Sequence, residues 1–171
     1  MSRFGFTLVV GVALAAWAGA QGPPPAVTAA DRVRMLRADR TLLADLVESG
    51  VKLGGADHPV ARAESCQETA RLLGIALHTA AEGQDADRVG ELGDHLDRVV
   101  RDGLVPLLDE ARRTTPPESP DAKRLGAVRE SAAGDLEWAL SAVPPAGKLA
   151  DSARVTDVAA KLDRLRERLR P

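Results

Sequence analysis

The side chains best suited to chemistry in this 171-residue chain are its three histidines, His58, His78 and His95. His58 and His78 lie 20 residues apart on one predicted helix. That separation is about 30 Å at 1.5 Å per residue, so these two side chains cannot share a metal ion. In an antiparallel hairpin that turns at Gly83, His78 would instead lie level with Glu91, one helical turn before His95.

Two imidazoles and one carboxylate are a ligand set that Zn²⁺ or Cu²⁺ accepts when the side chains converge. We therefore consider His78, Glu91 and His95 as a candidate Zn or Cu site, and no other cofactor is indicated. The alternative is that both histidines are solvated or hydrogen bonded without a metal. Both lie toward the flank of their helices, and no ligand-dense motif accompanies them.

Cys66 is the only cysteine, so the chain cannot form an intramolecular disulfide. It lies on a helix face of small residues, where a free cysteine usually behaves as a small buried hydrophobe. The alternative is an exposed thiol that links two chains. No motif supports a catalytic pair of this thiol with a histidine.

Asp39 interrupts the apolar face of the first predicted helix, where an unpaired carboxylate would be costly. We predict a structural ion pair with Arg71, which lies in the otherwise apolar middle of the second helix, and Arg62 is the second choice. The alternatives are an aspartate at a wet end of the fold or a functional carboxylate in a cleft. The apolar residues assigned to this face are Met35, Leu42, Leu43, Leu46 and Val47.

Trp138 and the basic C-terminal segment are the candidate partner contacts. Trp138 points away from the apolar seam of its helix, so it is either covered by a neighbouring helix or presented to a partner, for which Trp is a favoured anchor. Residues 161–170 hold five basic and two acidic side chains. Arg164 and Arg168 would contact an acidic partner or, more weakly, anionic lipid. Alternatively, these cations only complement the end of their helix.

The composition excludes two classes of binding site. Only four aromatic side chains are present, and Trp138 is the only one after residue 20. Stacking platforms for single-stranded nucleic acid and cages for quaternary amines both need several aromatic faces. The 23 basic and 25 acidic residues are nearly balanced, so nothing indicates a polyanionic partner. We predict no nucleic-acid binding.

Residues 1–20 have the layout of a cleavable signal peptide. A basic start at Arg3 is followed by an uncharged apolar stretch over residues 4–17 and by the small residues 18–20. The stretch is shorter than the roughly 20 residues of a spanning helix, so we predict no transmembrane span after cleavage; a retained anchor is the alternative. Arginines outnumber lysines by 19 to four, which is typical of a GC-rich bacterial genome. We expect a secreted bacterial protein of the periplasm or cell envelope.

Residues 21–29 are predicted to form a Pro-rich spacer, and residues 30–170 a single all-α domain. Apolar residues recur in steps of three and four, and no alternation is long enough for a strand. Short connections between these helices predict one four- to five-helix antiparallel bundle. Gly103 and Pro106 predict a kink in the third helix. Four predicted helices begin near Thr28, Pro59, Asp85 and Ser119, and a fifth carries apolar residues from Val155 to Leu169.

The chain shows no nucleophile loop and no reinforced metal triad, so we predict that it is not an enzyme. We expect an exported helical bundle that acts by protein–protein interaction, as a scaffold or adaptor for an unidentified envelope protein. One alternative is a periplasmic bundle that binds a small ligand or a metal ion. A second alternative is a periplasmic chaperone or stress sensor.

Overall fold

The computed structural model describes residues 29–143 and 147–170. Over these ranges the chain is mostly helical and contains no strand, which confirms the all-α prediction. The predicted leader, most of the predicted spacer and the Thr28 start lie outside the described residues. No helix within the described ranges is long and apolar enough to cross a membrane. The elements are α1 (Ala29–Gly55), α2 (Pro59–Glu82), α3 (Ala86–Arg98), a π-helical turn (Val99–Leu104), α4 (Val105–Thr114), α5 (Pro120–Ser141) and α6 (Ala153–Leu169).

Most helix starts follow from local side-chain chemistry. Asp85, Ser119 and Ser152 precede α3, α5 and α6, and each accepts a hydrogen bond from the backbone N–H three residues ahead, at 3.0, 3.1 and 3.4 Å. Such caps satisfy N–H groups that have no partner inside the helix. At the start of α2, Pro59 occupies the first turn, while His58 makes no capping bond with its side chain. The predicted starts at Pro59, Asp85 and Ser119 are therefore confirmed.

The interruption predicted at Gly103 and Pro106 takes the form of a π-helical turn over Val99–Leu104. Proline has no N–H, so the carbonyl four residues before Pro106 cannot receive an α-helical hydrogen bond. The backbone widens ahead of it, and the N–H of Val105 bonds the carbonyl of Val100, five residues back. Segments α3 and α4 thus continue one another through the wider turn.

Four rods, α2, α3–α4, α5 and α6, surround the core, and α1 packs on the outside of α2. Each of α2 and α6 packs against both α3 and α5. Rods that follow one another in the chain run antiparallel, but α2 and α5 run in the same direction, since Glu64 pairs with Arg124 and His78 stacks on Trp138. The sequence predicted an antiparallel bundle. The observed bundle is not antiparallel throughout, because helices that are distant in the chain also become neighbours.

The core is aliphatic and depends on close helix approach. The largest fully buried side chains are all Leu or Val, among them Leu77, Leu96, Leu104, Leu149 and Leu162. At the contact of α3 with α6, a Cβ added at Gly93 would lie 2.1 Å from Cγ1 of Val158. Only glycine fits at position 93 without a shift, because the backbone of α3 lies against the side chain of Val158 on α6.

Candidate interaction surfaces

The predicted metal ligands are not brought together. The His78 ring stacks on Trp138 of α5, with ring centroids 3.9 Å apart and planes 5° from parallel. Glu91, on α3, instead accepts a hydrogen bond from Arg88 at 3.1 Å, and His95 on the same helix is exposed. Among the described residues, no three His, Cys, Asp or Glu side chains form a group that could hold a metal ion. The predicted set fails because His78 packs toward α5 and not toward α3.

The predicted ion pair of Asp39 with Arg71 is also wrong. Asp39 pairs with Arg88 of α3. Arg71 instead donates two hydrogen bonds to Glu68, one turn earlier on α2, at 2.6 and 2.8 Å. The hydrogen bond from Arg71 lowers the pKa of the Glu68 carboxyl. The partners differ because α1 turns Asp39 toward α3, whereas Arg71 lies on the side of α2 near Asp135 of α5.

A second polar anchor of α1, Ser49, has no counterpart in the sequence predictions. Only 4% of Ser49 is exposed. Its hydroxyl donates to the carbonyl of Ser65 at 3.2 Å and lies 2.7 Å from the hydroxyl of Thr69. The sequence does contain a pattern that indicates burial of Ser49, since this residue continues the three- and four-residue steps that lead from Leu42 to Leu53. Ser49 and Asp39, about 15 Å apart along the helix, fix the rotation of α1 about its axis.

With that rotation fixed, α1 carries two apolar faces. Leu42 and Leu46 are partly buried against the core, whereas Leu43, Val47 and Val51 are 62%, 66% and 70% exposed. The prediction of one shared face was wrong, since at 100° per residue neighbouring positions point in different directions. We call the exposed side the α1 outer face. It comprises Val33, Leu43, Val47, Gly50, Val51 and Gly54.

The two glycines of the α1 outer face have no packing role among the residues that the structure describes. A Cβ added at Gly50 or Gly54 would meet nothing within 4 Å. Gly54 lies at the end of α1, where glycine is common, but Gly50 lies a full turn inside it. Glycine at an exposed interior helix position costs about 1 kcal/mol relative to alanine. Packing against residues 29–143 and 147–170 therefore offers no compensation for this cost at Gly50.

Trp138 is the other large apolar side chain of interest on the surface. It is 45% exposed, and one face of its indole is covered by the His78 ring. The His78 Nδ1 atom also lies 3.3 Å from the Trp138 carbonyl oxygen. The stack holds the indole in a fixed position at the surface, and its role in partner contact stays a prediction.

The C-terminal cations are exposed, and α6 is capped by a different helix. Arg164 and Arg168 both face solvent, with Arg168 3.7 Å from Asp109 of α4. Arg129 of α5 donates to the last carbonyls of α6, at 2.8 to 3.0 Å. Those carbonyls have no partner inside their own helix, so the Arg129 guanidinium is the cation that caps the C-terminal end of α6. Partner or lipid contact by Arg164 and Arg168 stays a prediction.

Cys66 is buried, as the sequence indicated. Its thiol donates to the carbonyl of Val99 at 3.7 Å, at the start of the π-helical turn. Burial raises the pKa of the Cys66 thiol to about 11. The thiolate is the reactive form of cysteine, so this side chain is not placed to link two chains.

A groove of about 810 Å³ lies between α1, α2 and α3. The ion pair of Asp39 with Arg88 lies at its edge. Its walls are otherwise mostly aliphatic, with Leu42, Leu72, Ile75 and Leu92 among the lining residues. Its volume is within the range of small-molecule sites.

A comparison of the chain with protein-family models, curated proteins and solved structures finds no match in any of the three.

Proposed function

We propose that this protein is an exported bacterial envelope protein that acts by binding another polypeptide, as a scaffold or adaptor, and not by catalysis. The observation that carries the proposal is the α1 outer face. Leu43, Val47 and Val51 lie at successive turns of one helix, and each exposes well over half of its surface. Single exposed aliphatic residues are ordinary, but contiguous apolar patches mark interaction sites.

The exposure of this face is built into the way α1 is attached. Turning Leu43 and Val47 inward would remove Asp39 from Arg88 and Ser49 from its two partners on α2. Of these two attachments only Ser49 is buried, and breaking a buried hydrogen bond costs about 1–3 kcal/mol when the partner is left unsatisfied. The attachment therefore favours an outer face that remains available to a partner.

The predicted leader supports an extracytoplasmic site of action. A basic start, an apolar stretch and small residues before Gln21 are the features that export machinery uses. Cleavage there would release a chain that begins at Gln21. N-terminal sequencing of the accumulated protein tests this part of the proposal, and a chain that retains residues 1–20 would contradict it.

Photo-crosslinking in the producing cell tests the binding proposal. A photoreactive amino acid is placed at Val47, and a matched control is placed at Ala160, an exposed residue of α6. We expect a discrete crosslinked polypeptide from position 47 that position 160 does not give, because only the first lies on the α1 outer face. No product at position 47, or the same product from both positions, would contradict the proposal.

The groove between α1, α2 and α3 favours small-ligand binding as a second candidate function. An aliphatic ligand with one polar group would place its apolar part against Leu72 and Ile75 and its polar group near Arg88. Substituting Trp for Ile75 would occupy part of the groove. A ligand that raises the melting temperature of the native chain and not of that variant would support this function. A ligand panel that stabilises neither protein would argue against it.

A further inference from the structure

We infer that the cleft between α4, α5 and α6 binds a free anionic amphiphile, an aliphatic chain with one carboxylate group at its end. This site lies on other helices than the α1 outer face, so the inference goes beyond the proposed function and does not depend on it. Three features of the cleft carry the inference: its aliphatic wall, the bare backbone at Gly126, and the excess of arginine at its edge.

The cleft lies where α4 and α6 part from each other. Before the π-helical turn, α3 packs on α6, whereas beyond the turn α4 packs on α2 and α5. The space left between α4, α5 and the end of α6 has a volume of about 690 Å³, which is within the range of small-molecule sites. Its lining begins at Val105, directly after the π-helical turn, and such turns are frequent at functional sites.

The wall of the cleft is aliphatic. Removing an alkyl chain from water against such a wall is favourable, because the transfer buries apolar surface on both sides. No aromatic side chain is among the described residues of the cleft, so the wall offers no stacking surface to a flat ring. The wall is formed by core-edge side chains that each expose less than a tenth of their surface: Val105, Leu108, Leu125 and Leu169.

Gly126 leaves part of this wall without a side chain. It lies inside α5 and lines the cleft, and an added Cβ would meet nothing within 4 Å. Glycine is the poorest helix former after proline, and packing among the described residues does not require it at this position. The open backbone gives an alkyl chain room to lie against α5.

Positive charge is in excess at the edge of the cleft. The charged side chains that line it are three arginines and one aspartate: Arg112, Arg129, Arg168 and Asp109. The Arg129 guanidinium is occupied by the last carbonyls of α6. Arg168 lies 3.7 Å from Asp109, and both side chains are more than half exposed. Arg112 is exposed and forms no ion pair within residues 29–143 and 147–170, so Asp109 balances only one of the two remaining arginines.

Arg112 and Arg168 favour an anionic head group. A guanidinium donates paired N–H groups that match the two oxygens of a carboxylate. A carboxylate at this edge would accept from Arg112, which has no charged partner among the described residues, and would share Arg168 with Asp109. A cationic head group would be repelled by the excess of positive charge.

The two arginines decide which ligand binds more than how tightly it binds. Both are exposed to water, where an ion pair contributes little, so the alkyl chain supplies most of the affinity through its burial. We expect a dissociation constant on the order of 10 to 100 μM for dodecanoate.

Isothermal titration calorimetry with monomeric dodecanoate, on the protein as the cell accumulates it, tests the inference. We expect a loss of affinity of about tenfold or more in Gly126→Leu, because the leucine occupies the space of the alkyl chain. The matched control Gly134→Leu makes the same change about two turns further along α5, where an added Cβ also meets nothing within 4 Å. It should bind as the native protein does. Both positions are exposed, so far-ultraviolet circular dichroism should show native helicity in each variant. A native protein that does not bind, or equal affinity of the two variants, overturns the inference.

The head group is tested with a second pair of variants and a second amphiphile. Arg112→Gln should weaken dodecanoate binding several-fold, whereas Arg113→Gln should not, because Arg113 is exposed on the same helix and does not line the cleft. Dodecyltrimethylammonium has the same alkyl chain and the opposite charge, and it should bind about tenfold more weakly or worse. Equal affinity for the two amphiphiles, or equal effects of the two arginine substitutions, overturns the anionic assignment.

Vesicles that contain phosphatidylglycerol distinguish a free ligand from a membrane surface. We expect monomeric dodecanoate to bind in the absence of vesicles and to compete with any binding to them. Binding to the vesicles without binding of monomeric dodecanoate overturns the free amphiphile as the occupant of the cleft.

Discussion

Replacing Gly93 with alanine should destabilise the protein, although alanine is the better helix former. A Cβ at this position would lie 2.1 Å from Cγ1 of Val158, against about 3.4 Å for the onset of ordinary contact, a shortfall of about 1.3 Å. Val158 is β-branched and has little rotamer freedom, and only 2% of it is exposed. The added methyl therefore has to move α6 away from α3.

Overpacking of this kind costs about 1–3 kcal/mol, and sometimes more. Alanine returns about 1 kcal/mol of helix propensity, so we expect a net loss of up to about 2 kcal/mol in the free energy of unfolding for Gly93→Ala. Gly126 is the matched control, since it lies inside α5 and an added Cβ would meet nothing within 4 Å. Gly126→Ala should therefore stabilise by up to about 1 kcal/mol.

Urea denaturation followed by circular dichroism measures both variants, with thermal unfolding as the second probe. The opposite signs are the decisive feature, since the same chemical change at two glycines should separate the melting temperatures by several degrees. Equal effects of the two substitutions, or a stabilising Gly93→Ala, would refute the close α3–α6 packing described above.

Three further outcomes follow from individual contacts. Burial raises the pKa of Cys66 from 9.0 to about 11, so the stability that its neutral thiol provides is complete below pH 9.0 and is lost as pH rises through about 11. Cys66→Ala should remove this part of the loss of stability at alkaline pH. Identical alkaline unfolding curves for the variant and the native chain would contradict the prediction. Burial also raises the pKa of Asp135, which accepts a hydrogen bond from Gln67 at 2.6 Å, so Asp135→Asn should leave the free energy of unfolding at pH 7 unchanged or higher. A loss above about 1 kcal/mol would argue against this reading. In a Trp17→Phe background, Trp138 is the only tryptophan, and iodide should quench its fluorescence. His78→Ala should increase that quenching. Unchanged quenching in this variant would show that the His78 ring does not shield the indole.

Local signals in the sequence were sufficient for the helices themselves. Pro59 and Ser119 fix helix starts through backbone geometry and capping, which depend on a few adjacent residues. The interruption at Pro106 was predictable for the same reason. Its form as a π-helical turn was not, because the wider turn also has to place Val99 against the buried thiol of Cys66.

The candidate sites were harder to predict from the sequence, because they depend on which helices become neighbours. The sequence predicts a partner for Asp39, but its pairing with Arg88 requires α1 to reach α3, and no local pattern encodes that. The hairpin register predicts that His78 faces α3, whereas its ring stacks on Trp138 of α5, sixty residues further along the chain. The helical periodicity grouped Leu43 with Leu42 and Leu46, which face the core. Only the contacts that Asp39 and Ser49 make with α3 and α2 show that Leu43 faces outward.

Photo-crosslinking from three positions of the α1 outer face tests the central claim most directly, that this face binds another polypeptide. The photoreactive amino acid is placed singly at Leu43, Val47 or Val51, which are exposed at successive turns of α1, and at Ala160 of α6 as the control. The account predicts that the three α1 positions give one crosslinked polypeptide of the same mass and that position 160 does not give it. No product from any of the three positions, or the same product from position 160, would contradict the claim.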